Sequence, residues 1–208
     1  MPYFLLFLGC FLLFFSILIL KNSALSNLDL YSVMALSQQR IDLLNHITSS
    51  LSILGGMPFV LFFTTLWCFI LVWYKKYSKI YFISTGLLGS IVYVWLLKYL
   101  IAKPRPPEIY HLVESYGSSF PSAHSCYAAT LAACILLVGQ KHPLYRYFAL
   151  FAVLWMFVMG MSRVYLGVHF PSDVISGWGI SFIWVSVMYL LVKSQFHPKN
   201  KILNKHLN

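Results

Sequence analysis

The sequence predicts an all-α integral membrane protein, a bundle of six transmembrane helices. Three observations support this fold class. Hydrophobic residues make up 60% of the 208 residues and charged residues only 10%, whereas a soluble domain is usually about a quarter charged. The mean hydropathy is +0.76. Apolar runs close to the roughly 20 residues that a helix needs to cross a bilayer recur along the chain.

Six apolar segments approach or reach this length. The first could be a secretory signal peptide, but no basic residue precedes it, and Lys21-Asn22-Ser23-Ala24 is a poor cleavage site. We therefore expect it to be retained as the first span. The fourth and fifth segments are the shortest. The predicted spans cover about residues 3–20, 52–74, 80–100, 125–140, 146–162 and 174–192.

The segment 26–50 is too polar to cross a membrane. Two structures fit it, an amphipathic helix on the membrane surface or a plain polar loop. Gly55-Gly56 and Pro58 predict a bend where the chain enters the second span. The helical alternative rests on apolar residues at loosely helical spacing, which are Leu28, Val33, Leu36, Leu43, Leu44 and Ile47.

Basic residues predict the orientation of the bundle, because cytoplasmic loops are enriched in lysine and arginine. Six of them lie on one side, and three of those six belong to the motifs described below. The other side, where both termini lie, holds nine basic residues. Both termini are therefore predicted to be cytoplasmic. The net charge of +10 is then explained by loops next to a membrane rather than by nucleic-acid binding. The nine are Lys75, Lys76, Lys79, Lys141, Arg146, Lys193, Lys199, Lys201 and Lys205.

The cysteines predict neither a metal centre nor a disulfide scaffold. They show no Cys-x-x-Cys or Cys/His ligand spacing, and all lie in or beside apolar stretches. We interpret them as buried, unreactive thiols. They are Cys10, Cys68, Cys126 and Cys134.

The first polar motif is Lys98-x6-Arg105-Pro106, at the end of the third predicted span. Prolines around Arg105 end the helix and stiffen the chain that follows it. The planar guanidinium matches phosphate oxygens, and lysine adds a mobile positive charge. The alternative is a basic membrane flank with snorkelling side chains. Lys103 lies outside the motif spacing and is assigned to that flank.

The second motif is Pro121-Ser122-Ala123-His124, just before the fourth span. Proline and serine before an apolar run predict a helix start. Free backbone N–H groups and the helix dipole favour anions there. Ser122 can add a hydroxyl, and His124 can donate a proton near neutral pH. The alternative is an ordinary helix cap with an interfacial histidine.

The third motif is Ser162-Arg163-x5-His169-x3-Asp173, between the fifth and sixth spans. A carboxylate beside an imidazole fixes its tautomer and stabilises its protonated form. The other ring nitrogen is then available as a nucleophile. Arg163 adds a third cation. The alternative is a helix cap at Asp173 with a surface histidine.

Taken together and in this order, on one predicted membrane face, the three motifs resemble the type 2 phosphatidic acid phosphatase (PAP2) superfamily of lipid phosphatases. The resemblance covers about residues 50–192. It implies a membrane bundle that hydrolyses phosphate esters without a metal ion or other cofactor. We interpret 1–208 as a single domain, with residues 50–192 as its motif-bearing core and 193–208 as a basic cytoplasmic tail.

The resemblance also implies roles for individual residues. By motif position, His169 is the nucleophile that forms a phosphohistidine, Asp173 is its partner, and His124 is the general acid. The family most often has glycine where Ala123 stands. Alanine keeps the N–H and suits a helical φ, but it would be strained if the site needs a positive φ. The implied phosphate-binding groups are Lys98, Arg105, Ser122, Arg163 and the backbone N–H of Ala123.

These features predict a membrane phosphatase that removes the terminal phosphate of a lipid phosphate or diphosphate. The favoured substrate is undecaprenyl diphosphate, followed by phosphatidylglycerophosphate or phosphatidic acid. The compact chain resembles the bacterial branch, which implies the inner membrane and an active site on the periplasmic or outer face. The expected partners are the lipid phosphate and the bilayer, with no nucleic acid; the oligomeric state stays open.

Three alternatives remain. An acceptor hydroxyl in place of water would make the protein a lipid phosphotransferase. A catalytically silent lipid binder or transporter could use the same bundle. Vanadate-dependent haloperoxidases share the constellation by resemblance, but they are soluble, and six predicted spans argue against that activity.

Overall fold

The protein forms a bundle of helices in the computed structural model, which describes residues 1–196. This part of the chain contains no β-strand, and a short 3₁₀ helix, Glu108–Tyr110, lies in one long loop. Residues 197–208 of the predicted basic tail lie outside the described residues. The α-helices are α1 (Pro2–Lys21), α2 (Ser23–Gln38), α3 (Asp42–Leu54), α4 (Met57–Trp73), α5 (Tyr77–Ile101), α6 (Ala123–Val138), α7 (Tyr145–Tyr165) and α8 (Pro171–Phe196).

The prediction of an all-α bundle is confirmed for the described residues, but the count of six spans is not. Helices α1, α5, α7 and α8 are long and apolar enough to cross a membrane. Helices α3 and α4 meet at 58° and add a fifth span if the bent pair is counted as one. Helix α6, in place of the predicted fourth span, has only 16 apolar-rich residues.

Helix α8 lies at the centre of the bundle, where it packs along α1 and against α5 and α6. Small residues permit this close packing. A Cβ on Gly9 would lie 2.8 Å from the carbonyl oxygen of Gly179, so α1 and α8 are in backbone contact there. Buried hydroxyl groups join the other helices: Ser90 Oγ lies 2.7 Å from Thr130 Oγ1, which donates to Ser181 Oγ at 3.1 Å.

The polar segment 26–50 forms parts of two helices rather than one surface helix or a loop. Helix α2 turns Asp29 and Val33 into the protein, where both are buried. The break between α2 and α3 contains Arg40, whose guanidinium donates to the carbonyl oxygens of Tyr110 (2.6 Å) and Tyr165 (2.7 Å). Arg40 therefore joins this break to the loop at Tyr110 and to the end of α7. The bend predicted at Gly55-Gly56 is confirmed.

The predicted motif residues all lie at one end of the bundle. This end is formed by the last turns of α5 and α7, the first turns of α6 and α8, and the loops that connect them. A basic cleft lies at the opposite end of α5 and α6, where Lys79 Nζ donates to the carbonyl oxygen of Val138 at 2.9 Å. Lys75, Lys76 and Lys141 also line this cleft.

Candidate active site

Two loops build the candidate site, 102–122 and 166–170, and they are attached to each other. The backbone N–H of Leu112 donates to the carbonyl oxygen of Leu166 at 3.0 Å. Gly167 has a φ of +76°, and a Cβ there would lie only 1.9 Å from the carbonyl oxygen of Tyr110. This position therefore requires glycine for both its backbone conformation and its close approach.

Asp173 both caps α8 and faces His169. It lies in the first turn of α8, where its Oδ2 accepts a hydrogen bond from the backbone N–H of Phe170 at 2.9 Å. The same oxygen lies 3.5 Å from His169 Nδ1. The helix-cap alternative and the imidazole–carboxylate hypothesis thus describe the same side chain. Asp173 and His169 are both buried, with 0% and 2% of their surface exposed.

Arg105 holds the opposite edge of the His169 ring. Its Nη1 donates to the carbonyl oxygen of Val168 at 2.7 Å and lies 3.3 Å from His169 Nε2. A guanidinium can only donate, so this contact requires Nε2 to carry a lone pair. The neutral ring then carries its proton on Nδ1, on the side of Asp173. Nε2 is the nitrogen available for attack.

The surroundings of His169 keep its ring neutral. Burial lowers the pKa of His169 well below its ordinary value of 6.5, and the positive charges of Arg105, Arg163 and Lys98 lower it further. The pKa of the Arg105 guanidinium is also lowered, because that group is partly buried. An imidazole that stays unprotonated near neutral pH is a competent nucleophile.

The three predicted phosphate-binding cations lack carboxylate partners in the part of the chain that the structure describes. The ion pairs found near the site belong to Lys103 and to His169. Lys98 is 7% exposed and donates to the carbonyl oxygens of Ser118 and Ser119. Arg163 is 3% exposed, and its Nε has no hydrogen-bond partner. Buried cations without an acidic partner are costly, so this cluster is suited to an anion.

The structure places the second motif at the start of α6. Ser122 is the N-cap, and its Oγ accepts from the hydroxyl of Ser125 at 2.9 Å. Its backbone N–H donates to the carbonyl oxygen of Asp173 at 2.9 Å, which ties α6 to α8. Ala123 is the first helical residue. Positive φ at non-glycine residues occurs only at Lys75 and Ala102 within 1–196, so Ala123 is not strained.

His124 contacts α3 rather than another motif residue. Its Nε2 lies 3.0 Å from the carbonyl oxygen of Ser52, which can only accept, so Nε2 carries a proton. Arg163 Nη1 donates to the hydroxyl of the same Ser52 at 2.5 Å. Ser52 thereby joins two predicted site residues from different helices. Ser52 was not predicted as a site residue, because it stands at the start of an apolar segment.

Lys103 and Asp29 also belong to the site region and were missed. Lys103 was predicted to belong to the membrane flank, but its Nζ lies 2.9 Å from Asp173 Oδ1. Asp29 lies 3.4 Å from the same ammonium group. One signal could have found Asp29: it is the only charged residue of α2, and a charge in a mostly apolar environment suggests function.

Two further polar residues of the site region, Ser162 and His111, have local structural contacts. The Ser162 hydroxyl donates to the carbonyl oxygen of Met159 in its own helix at 2.7 Å. His111 Nε2 lies 2.9 Å from the carbonyl oxygen of Pro106 and so braces the loop that carries Arg105. Neither residue contacts the His169–Asp173 pair.

An apolar groove of about 340 Å³ lies between α4, α6 and α7. One end lies next to the site, because Leu54 is in the same turn of α3 as Ser52, and Ala128 is one turn beyond His124. The walls further along are aromatic and aliphatic. They include Phe63, Leu131 and Trp155.

The chain is similar to known proteins over part of its length. A family model described as the PAP2 superfamily matches residues 77–196. The chain is 31% identical over 118 residues to an undecaprenyl-diphosphatase of Sulfolobus acidocaldarius, covering 50% of each protein. It is 36% identical over 107 residues to phosphatidylglycerophosphatase B of Bacillus subtilis, covering 47% of this chain and 48% of the relative. The chain thus spans about half the length of the curated relatives it matches.

The fold is similar to that of a solved membrane phosphatase. The crystal structure of a transmembrane PAP2-type phosphatidylglycerolphosphate phosphatase from Bacillus subtilis superposes with a TM-score of 0.79. The match covers 93% of this chain and 98% of the other at 23% identity. At this identity the likeness shows the fold alone.

Proposed function

From the premise that this chain belongs to the PAP2 superfamily, we propose that it is an integral membrane phosphatase that removes the terminal phosphate of a lipid phosphate or diphosphate. One observation carries the proposal. Three cations that have no carboxylate partner among the described residues, Lys98, Arg105 and Arg163, lie at the end of the bundle that carries the buried imidazole of His169, and Arg105 contacts that ring. A phosphate group provides the negative charge that this cluster lacks within the described residues.

In the proposed first step, His169 Nε2 attacks phosphorus in line with the leaving oxygen. A nitrogen–phosphorus bond forms and the phosphorus–oxygen bond breaks. His124 gives the proton of its Nδ1 to the departing oxygen, while its Nε2–H stays on the Ser52 carbonyl oxygen. This transfer starts from the doubly protonated ring, which the negative charge of the bound phosphate favours. Asp173 faces the Nδ1 proton and stabilises the positive charge that develops on the ring. The cations stabilise the charge on the transferring phosphoryl oxygens, which is usually the largest catalytic contribution in such sites.

In the second step, water attacks phosphorus and the nitrogen–phosphorus bond breaks. His124, now neutral and with a free Nδ1, accepts a proton from that water at Nδ1. Inorganic phosphate leaves, and His169 returns to its neutral state. Every proton transfer in this scheme uses side chains of this protein, and no metal ion takes part.

The apolar groove supports a lipid rather than a soluble substrate. It begins beside Ser52 and His124 and runs between α4, α6 and α7, where an acyl or prenyl chain would lie while its head group meets the cations. We favour undecaprenyl diphosphate and place phosphatidylglycerophosphate or phosphatidic acid next. The similarity to an undecaprenyl-diphosphatase and to a phosphatidylglycerophosphatase B supports a lipid phosphate or diphosphate as the substrate class.

The proposed location is the bacterial inner membrane, with the site on the periplasmic or outer face. The basic cleft at the other end of the bundle supports this orientation, because lysine and arginine are enriched on the cytoplasmic side.

The test is phosphate release from a panel of lipid phosphates by the purified protein in detergent micelles. We expect release by the wild type in the presence of EDTA and none by His169→Ala. His142→Ala, at the opposite end of the bundle, is the matched control and should keep full activity. Substantial release by His169→Ala would overturn the mechanism. Loss of activity in EDTA would indicate a metal enzyme, and phosphate transfer to an added lipid alcohol would indicate a phosphotransferase.

A further inference from the structure

We infer that Lys103 and Asp29 are positioning residues. They hold the Asp173 carboxylate against His169 and set the net charge of the groups beside the His169 ring. This inference rests on the proposed function. Asp29 comes from α2, which lies outside the region matched by the family model. The N-terminal polar segment would then be part of the catalytic apparatus rather than a membrane-surface helix.

The ammonium group of Lys103 is fully engaged by protein groups. Its Nζ lies 2.9 Å from Asp173 Oδ1, 3.0 Å from Ser172 Oγ and 3.4 Å from Asp29 Oδ2. It also lies 4.1 Å from the centre of the Phe170 ring, a cation–π distance. An ammonium has three donors, and each has an acceptor here. Lys103 therefore differs from Lys98, Arg105 and Arg163, which have no carboxylate partner within residues 1–196.

Asp29 is held as firmly as Lys103. It is 6% exposed, and its Oδ1 accepts from the backbone N–H of Ser172 at 2.9 Å. Its Oδ2 accepts from the Ser172 hydroxyl and lies next to Lys103. A buried carboxylate is tolerated only when such partners satisfy it. The contacts connect α2 with the first turn of α8, next to Asp173 in the chain.

The charges of Lys103, Asp29 and Asp173 sum to one negative charge beside the His169 ring. Lys103 bonds Oδ1, the Phe170 N–H bonds Oδ2, and the carboxylate is thereby oriented toward His169 Nδ1. Lys103 alone would cancel the charge of Asp173. Because Asp29 offsets Lys103, the cluster keeps one net negative charge beside the ring that must become positive during the reaction.

The two residues should therefore move the pKa of His169 in opposite directions. The other charged or titratable groups that act on this ring are Arg105 from the loop, Arg163 from α7, Lys98 from α5, His124 from α6 and Asp173 from α8. Of these groups, Asp173 is the one that contacts Lys103 within the described residues, so the effect of Lys103→Met on the ring applies while Asp173 stays ionised. Removing the negative charge of Asp29 disfavours protonated His169, and removing the positive charge of Lys103 favours it.

The experiment compares wild type, Asp29→Asn, Lys103→Met, Lys103→Arg and the double variant Asp29→Asn/Lys103→Met. The pH dependence of kcat/KM is measured on one lipid phosphate, whose own ionisation is common to all variants. We expect the acid limb to shift by about one pH unit, downward in Asp29→Asn and upward in Lys103→Met. The acid limb should return toward the wild-type pH in the double variant.

We expect kcat to fall roughly tenfold or more in each single variant, as for other residues that orient a catalytic ligand, with KM little changed. Lys103→Arg should keep the wild-type profile.

A readout without turnover separates this inference from the proposed function. Ring nitrogen shifts of ¹⁵N-histidine-labelled protein report the protonation of His169 directly, and His169→Gln assigns its resonances. Opposite shifts in this titration support the inference even if no lipid phosphate is hydrolysed. Equal or unchanged His169 titration in Asp29→Asn and Lys103→Met would overturn it. A rise in KM with unchanged kcat would also overturn it, because Lys103 would then be a phosphate ligand. If Lys103→Met does not fold, the isosteric Asp29→Asn variant tests the inference alone. A lower pKa of His169 in that variant supports it, and an unchanged pKa overturns it.

Discussion

His124 Nε2 lies 3.0 Å from the carbonyl oxygen of Ser52, a residue of the bent α3–α4 pair. The hydroxyl of the same Ser52 accepts from Arg163. One residue therefore aligns the proposed general acid with one proposed phosphate ligand. The bend at Gly55-Gly56 brings α3 to this position.

Removing the Ser52 hydroxyl should weaken the site without unfolding it. Ser52→Ala leaves the carbonyl contact with His124 intact but deprives the buried Arg163 of a partner. A hydrogen bond to a charged group contributes about 1.5–3 kcal/mol, so we expect kcat/KM to fall roughly tenfold or more. Ser50→Ala is the matched control, because its exposed hydroxyl donates only within α3. Equal activity in both variants would exclude a role for the Ser52 hydroxyl.

The proposed role of His124 predicts a dependence on the leaving group. His124→Ala should lose roughly 100-fold or more in kcat on a lipid monophosphate, whose alkoxide needs a proton. The loss should be much smaller on p-nitrophenyl phosphate, whose leaving group is stable as an anion. The ratio of the two kcat values measures the effect. A uniform loss on both substrates would argue that His124 only binds or positions the phosphate.

The low pKa of His169 predicts activity that persists below pH 6.5. Protonation blocks the nucleophile, so the acid limb of kcat/KM should lie below the ordinary histidine pKa of 6.5. Arg105→Met removes the cation that lowers this pKa most after burial, so its acid limb should move to higher pH while KM rises. Arg146→Met, exposed at the other end, should change neither quantity.

The same pKa has a consequence for stability. Since the folded state disfavours protonated His169, the unfolded state binds more protons at low pH. The contribution of His169 to stability should therefore fall as the pH falls below about 6.5. For the activity prediction above, an acid limb of kcat/KM at or above pH 6.5 in the wild-type enzyme would contradict the lowered pKa of His169.

Gly167 should be the most sensitive glycine of the loops. Gly167→Ala combines a positive φ with a Cβ only 1.9 Å from the carbonyl oxygen of Tyr110. Gly117→Ala, also at positive φ but with no atom within 4 Å of the added Cβ, isolates the backbone strain. That strain costs about 1–2 kcal/mol. Thermal unfolding in detergent should show a clearly larger loss for Gly167→Ala, and equal losses would contradict the close approach.

Filling the apolar groove should affect long lipid substrates selectively. Leu131→Trp places a larger ring in the groove, so KM for a long-chain lipid phosphate should rise. Activity on a soluble phosphate ester should be unchanged. Leu150→Trp on the exposed face of α7 is the control. Equal effects on both substrates would mean that the groove does not hold the lipid chain.

Much of the architecture follows from the sequence, because apolar length and helix-ending residues are local properties. The apolar runs determined which segments become long helices, and Gly55-Gly56 determined the bend. The order of spans brought Lys98, Arg105, Ser122, His124, Arg163, His169 and Asp173 to one end of the bundle. Their catalytic roles remain predictions. The six-span count failed to be confirmed because α6 is shorter than a bilayer requires and α3–α4 is bent.

The residues that support the motifs become apparent only in the folded protein. Asp29 and Ser172 are 143 positions apart, and Ser52 and Arg163 are 111 apart, yet each pair is hydrogen-bonded. Spacing along the chain carries no information about such pairs, because they depend on how α2 and α3 pack against α7 and α8. The reactive groups, and the end of the bundle where they lie, follow from the order of motifs and apolar segments along the chain. The packing of the N-terminal helices against α7 and α8 sets the orientation of those groups, the charges beside them and the hydrogen bonds that join them.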